Sequence, residues 1–218
     1  MGTGGTLAVN APGPRSAALL ARRLRALSEP VGPHPLLREW PAADPSPQPT
    51  PAAVLFPLIL DAPEPQVLLT VRHSALRSHP GQISFPGGRC DRGDPDVAAT
   101  ALRETWEEVG IERERIEVLG TLPAYLTGTG YSVVPVIGTV PANYPYRLAA
   151  DEVEEAFHVP LAYLLDERNR EFKKYEVDGH RRGYFEFHFG RYRIWGATAQ
   201  MIVSLQQRLG VEFPESGA

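Results

Sequence analysis

The sequence predicts an α/β fold, a sandwich around a mixed β-sheet, preceded by an N-terminal helical extension. Three observations carry this. Strand-like and helix-like runs interleave without the regular βαβ alternation of a parallel sheet. One helix is sharply punctuated, with proline at its first turn and glycine just past its end. At 218 residues and 43% hydrophobic, the chain can bury one good core.

Taken in order, residues 1–50 form an N-terminal extension with one amphipathic helix and a proline-rich connector. In "SAALLARRLRAL", Leu20, Leu24 and Leu27 recur at helical spacing behind a serine, and Arg22, Arg23 and Arg25 read as a solvated face. The connector "PVGPHPLLREWPAADPSPQPTP" is too proline-rich for regular structure. The main domain is expected over 51–210, with a tail at 211–218. Its first two strands are "AAVLFPLIL" and "PQVLLTVR", joined by the turn "DAPEP", the first weakened or bulged at Pro57. A helix over Pro95–Val109 follows. "RIEVLGTL" and "YSVVPVIGTV" read as strands on either side of a glycine-rich turn. "DEVEEAFHVPLAYLLD" reads as an acidic turn leading into a short helix, "YFEFHFGRYRIW" as a strand pair, and "ATAQMIVSLQQRLG" as a closing helix. The chain contains no internal repeat.

Composition excludes several classes. The formal net charge is −4, the pI is about 5.9, and no long basic run is present, which argues against partners such as nucleic acid or anionic membrane. The apolar run Val54–Leu60 is interrupted by Pro57 and is far too short to span a bilayer. The N-terminus lacks a basic start followed by an apolar stretch, so a cytoplasmic location is expected. A single cysteine, Cys90, rules out an internal disulfide framework and a cysteine-rich zinc site. It lacks a neighbouring base and reads as a loop bystander.

Chemistry concentrates on the punctuated helix. At about 100° per residue, Glu104, Glu107 and Glu108 share roughly one third of its circumference, and Ala98, Leu102, Thr105, Trp106 and Val109 take the opposite side. Any amphipathic helix has a charged outer face, and like charges at this spacing cost only a few tenths of a kcal/mol per pair. A hard divalent cation reverses the sign of that interaction. Gly87 and Gly88 stand just upstream, where backbone can approach a ligand closely, and Arg103 can orient a carboxylate through a forked pair.

"GRCDRGDPDVAATALRETWEEVGI" resembles the signature of the Nudix hydrolases. Arg103, Glu104, Glu107, Glu108, Gly110 and Ile111 stand in the family's positions, with Thr105 where an apolar residue is usual. The first half departs: Asp94 replaces a glutamate, and one extra residue separates it from Arg103. The resemblance implies a Nudix-type α/β/α sandwich and metal-dependent hydrolysis of a nucleoside diphosphate joined to another group, with Mg2+ or Mn2+ as cofactor. Glu104 and Glu108 are then metal ligands. Glu107 is a third ligand or the base that takes a proton from water, and Arg103 supports the catalytic set. Glu152 and Glu155, in "DEVEE", are alternative bases if they do not simply belong to a solvated acidic turn.

Upstream, "LLTVRHSALRSHPGQISFPGG" is similar to a second motif that marks the coenzyme A pyrophosphatase branch of the family. Leu68, Leu69, Thr70, Arg72, Arg77, Gly81 and the run Phe85 to Gly88 match, while His73 replaces a serine-like residue. "VPLAYLLD" and "YRIWGATA" also resemble that branch. The implied reaction releases 3′,5′-ADP and 4′-phosphopantetheine from coenzyme A. Arg72, Arg77, Gly87 and Gly88 are the expected contacts to substrate phosphates, since arginine offers a bidentate fork to them. Another nucleotide substrate such as ADP-ribose, and a nucleotide-sensing module without catalysis, are the competing readings.

Overall fold

The computed structural model describes residues 14–32, 48–76, 78–177 and 180–210. Arg77, most of the proline-rich connector and the C-terminal tail lie outside the described residues. Two central strands, β1 (Thr50–Ile59) and β7 (Tyr131–Thr139), run parallel, and every other pairing is antiparallel. Around them lie β2 (Gln66–Arg72), β3 (Ile83–Ser84), β4 (Gly87–Arg89), β5 (Glu117–Thr121), β6 (Tyr125–Leu126) and β8 (Val153–Pro160). A separate sheet contains β9 (Arg170–Val177), β10 (His180–Phe189) and β11 (Tyr192–Trp195). The sheet is mixed, as the interleaved pattern predicts.

Pro57 does not bulge β1. The parallel register continues through the pair Pro57↔Gly138. On its other edge β1 pairs first with β4, up to Val54↔Gly87, and then with β2, from Leu58↔Val67. The Leu55 amide donates to the Pro86 carbonyl on that edge, and residues two apart share a side, so the amide hydrogen missing at Pro57 falls in the gap between two partner strands. Pro135 repeats the device on β7, between Val136, paired with β5, and Val133, paired with β6.

Period-2 alternation on β1 feeds two cores. Ala53, Leu55 and Ile59 pack under α2 (Val97–Val109) with Ala98, Ala101, Leu102 and Val109. Phe56 and Leu58 pack on the opposite face with Leu24 of α1 (Pro14–Leu27), Leu161 and Leu164 of α3 (Leu161–Leu165), Ile202 of α4 (Gly196–Arg208), and Phe187 and Ile194 of the small sheet. This is an α/β/α sandwich. The α1 arginines do more than face solvent: Arg23 donates to the Leu209 carbonyl and Arg25 pairs with Glu117. Beyond α1, Glu29 exchanges both backbone hydrogen bonds with Thr121.

The stretch Val153–Pro160, read as an acidic turn, is instead strand β8, paired along the length of β2. Its alternation is blurred because only Val153, Phe157 and Val159 are fully buried.

Candidate active site

α2 begins at Asp96, whose carboxylate accepts from the Ala99 amide (2.8 Å), and ends at Gly110, which takes the left-handed conformation (φ 73°) that a helix stop requires. Its buried arc is centred between Ala101 and Thr105, rotated from the arc expected from the sequence. Trp106, expected to pack, is 43% exposed beneath the Arg147 guanidinium, and Glu108, expected on the polar face, is only 4% exposed. Thr105 tolerates an apolar position because its hydroxyl donates to the Ala101 carbonyl (2.6 Å) one turn back.

The rotation carries Glu104 and Glu108 under β4. At Gly88 a Cβ would lie 2.5 Å from the Glu104 carboxyl carbon, and at Gly87 it would collide with the β1 backbone at Ala53 and Val54. The glycine pair is thus a steric requirement for helix, strand and carboxylate to meet. Burial pushes the Glu108 carboxyl up to about 8; the charges of Glu104 and Glu152 add to the rise, while Arg72 and the Gly87 amide oppose it. Burial also raises Glu104, against the stabilising hydrogen bond from Arg103. Glu107, half exposed, stands at the rim, within 3.4 Å of the Arg103 guanidinium.

Arg103 is clamped. Its Nε and Nη2 donate to the two Asp94 oxygens (3.3 and 3.0 Å), Nη1 donates to Glu104 (2.8 Å), and Nη2 also donates to the Arg89 carbonyl (3.0 Å). Asp94 is held in turn by the Thr100 hydroxyl (2.8 Å) and the Asp91 amide (3.0 Å). Burial acts to raise the Asp94 carboxyl, but the Arg103 fork and these two bonds outweigh it and hold it below the usual range. The inserted residue therefore leaves Asp94 able to orient Arg103, a role that spacing alone left open.

The two candidate bases in "DEVEE", Glu152 and Glu155, part company. Glu152 lies close enough to Glu104 and Glu108 to raise both, and its carbonyl accepts from the His73 amide (2.8 Å). Glu155 is engaged elsewhere, accepting from the Tyr192 hydroxyl (2.6 Å) and from Arg191 (2.6 and 2.7 Å), which join β8 to the small sheet. The structure thus brings together Arg72, Gly87, Gly88, Arg103, Glu104, Glu108 and Glu152, with Glu107 beside them. The partners of Glu155, Arg191 and Tyr192, were not legible as a site, since nothing local in "FGRYRIW" signals a contact with residue 155. Cys90, half-buried beyond β4, has its thiol pushed up by burial, the opposite of an activated nucleophile.

The donors suit a hard cation. They are carboxylate oxygens, one of them buried among like charges that a divalent ion would neutralise. Among the described residues no three acidic, histidine or cysteine side chains already converge as a closed metal shell, so side-chain rotation would have to complete it.

An α/β/α sandwich with carboxylates of one helix gathered under a glycine strand is a site able to hold a hard divalent cation. The profile of the NUDIX domain matches residues 49–178. Over 167 residues the chain is 42% identical to a protein of Shigella boydii named as an uncharacterised Nudix hydrolase, NudL, covering 74% of this chain and 83% of that one; a NudL of Escherichia coli O157:H7 matches to the same extent. Among solved structures, the NUDIX domain of Shewanella oneidensis NrtR, complexed with ADP ribose, aligns with 19% identity and a TM-score of 0.49 over 80% of this chain and 96% of that chain. The chain belongs to the Nudix family, whose hydrolases act on nucleoside diphosphate derivatives and generally use divalent metals such as Mg2+ or Mn2+. No helix among the described residues is long and apolar enough to cross a membrane.

Proposed function

We propose that this Nudix hydrolase cleaves the diphosphate of coenzyme A, releasing 3′,5′-ADP and 4′-phosphopantetheine in the cytoplasm. The observation that carries the hydrolytic part is the burial of Glu108 beside Glu104 and Glu152 under Gly87 and Gly88. The coenzyme A part rests on the resemblance of residues 68–88, whose Arg72 and Arg77 would supply phosphate contacts beyond the carboxylates.

Glu104 and Glu108, one helical turn apart, would hold the metal, with Glu107 able to swing in from the rim. A Mg2+ or Mn2+ ion bound there supplies charge neutralisation for the diphosphate and acidifies a water. Arg103, fixed by Asp94, keeps one Glu104 oxygen occupied and so sets which way that carboxylate faces. Gly87 and Gly88 make room for the β1 backbone and for the Glu104 carboxylate, and the backbone of β4 at this pair is the expected contact to the substrate phosphates. The proton of the attacking water passes to Glu152 or to Glu107. Glu155 is the weaker candidate for that base, since both its oxygens accept hydrogen bonds from Arg191.

A panel of coenzyme A, dephospho-coenzyme A, ADP-ribose, a dinucleoside polyphosphate and an oxidised nucleotide, each with Mg2+ or Mn2+, tests the proposal through kcat/KM and product masses. Coenzyme A should lead, and should exceed its dephospho analogue by about tenfold if a charge-assisted contact of about 1.5 kcal/mol meets the 3′-phosphate. A higher kcat/KM for ADP-ribose would reassign the substrate within the family. Binding without turnover on every compound would make the chain a sensor, for which a gathered set of carboxylates has no purpose.

A further inference from the structure

Arg72 terminates β2 at a register shift, where it faces Val153, the residue after Glu152, across the β2–β8 ladder. Its backbone is fully engaged: its amide donates to the Gln82 carbonyl (2.9 Å) and its carbonyl accepts from the Gly81 amide (3.0 Å). The following residue, His73, is tied to Glu152. The guanidinium is the strongest charge favouring ionised Glu108. Yet its Nε is buried and has no hydrogen-bond partner. A buried donor on a cation is expected to be satisfied, and a site that leaves one open beside a carboxylate cluster is shaped for an anionic oxygen that arrives later.

We infer that Arg72 serves the scissile diphosphate: in the substrate-free protein its buried Nε stands unpartnered beside the carboxylates, and it turns its fork to a diphosphate oxygen when substrate binds. In coenzyme A the 3′-phosphate and the diphosphate leave opposite sides of the ribose, so a guanidinium beside the carboxylates serves the second and not the first. This divides the paired arginines of the sequence motif, taking Arg72 out of the selection of the 3′-phosphate. The inference rests on the reading of the site as a diphosphate hydrolase but not on coenzyme A as the substrate.

Calorimetric titration of the metal-free protein with Mn2+ gives one test that needs no turnover. Arg72→Ala removes a positive charge beside the carboxylates that would hold the ion, so Mn2+ should bind more tightly, by about threefold or more, whereas Arg72→Lys should keep the wild-type affinity. In turnover, Arg72→Ala should slow coenzyme A and dephospho-coenzyme A by the same factor, on the order of tenfold or more, leaving their ratio unchanged. Unchanged or weaker Mn2+ binding in Arg72→Ala overturns the placement of the guanidinium beside the carboxylates, and a loss confined to coenzyme A overturns the diphosphate contact. Should Arg72→Ala fail to fold, Arg72→Met, which keeps the aliphatic stem, carries both measurements. If coenzyme A is not a substrate at all, ADP-ribose replaces it in the turnover arm, where a loss on that diphosphate supports the inference and full activity overturns it. The Mn2+ arm stands as it is.

Discussion

Two glutamates in this protein are almost equally buried, and their surroundings could hardly differ more. Glu186, on the small sheet, is 3% exposed and fully matched: Arg193 donates to one oxygen through Nε and Nη2 (2.9 and 2.7 Å), His188 lies at 3.1 Å and Lys173 at 3.5 Å from the other. Glu108, on α2, is 4% exposed and sits among two further carboxylates, opposed by the charge of Arg72 and by one backbone amide. Burial of a charge is tolerated when partners repay the desolvation, and Glu186 has them. Glu108 lacks repayment within the protein, which marks it as a group whose partner comes from outside. Burial alone would have ranked the two acids together; the sign of the neighbouring charges separates a structural carboxylate from a functional one.

Exchanging each acid for its neutral isostere should push the two sites in opposite directions, and this is the largest expected effect. Glu108→Gln should lower kcat/KM by about a hundredfold or more, while raising the melting temperature of the metal-free protein at pH 8. Glu186→Gln should leave turnover within a few-fold and destabilise the fold by about 1–3 kcal/mol, because the cations it held are partly exposed and can recover water. Denaturant unfolding and steady-state kinetics on both variants decide it, and matching signs would erase the distinction.

The next effect concerns the cover over the acidic site. In Gly88→Ala the new methyl would stand 2.5 Å from the Glu104 carboxyl carbon and displace that side chain, so activity should fall by about tenfold or more with folding retained. Asp94→Asn should loosen the Arg103 clamp and cost a similar or smaller factor in kcat, with partial recovery at high metal concentration if Glu104 is the group that loses its orientation.

A pH titration of stability separates the two acids without mutation. Glu108 titrates near 8 in the fold against an ordinary value of 4.5, so between those limits the native state holds a proton that the unfolded chain has released. Stability of the metal-free protein should therefore decline as pH rises from about 5 to 8, and saturating Mn2+ should flatten the decline. In Glu108→Gln only the part contributed by Glu104, also raised by burial, should remain, and an undiminished slope would assign it to another group.

The smallest effect is expected at the acid tied to the small sheet. Glu155→Gln should change kcat by less than about threefold, whereas Glu152→Gln should lower it more, since only Glu152 lies within electrostatic reach of Glu104 and Glu108. The reverse order would move the base to Glu155 and require its bonds to Arg191 and Tyr192 to break during catalysis.

Much of this molecule was legible before its coordinates. Local rules sufficed for what is local: the glycine stop at Gly110, the apolar runs that build β1 and β7, and the spacing that places Glu104 and Glu108 one turn apart, although the helix starts at Val97 behind an Asp96 cap and leaves Pro95 outside its first turn. The family signature likewise lies within one continuous stretch, so the family followed from the chain alone. What required the tertiary structure was every question of what a residue faces. Glu108 looked exposed because helical periodicity gives relative angles and not the direction of the core, and docking under β4 rotated the buried arc toward it and away from Trp106. Asp94 looked misplaced because counting residues cannot show that a loop returns its carboxylate to Arg103. The strand at Val153–Pro160 looked like a turn because its pairing partner, β2, lies more than 80 residues upstream, and strand identity is conferred by such pairing as much as by composition. The division of "DEVEE" into Glu152 at the carboxylates and Glu155 at the small sheet has the same origin: Glu152 stays in the turn that precedes β8 while Glu155 lies on the strand, and only the packed fold decides which one meets the site.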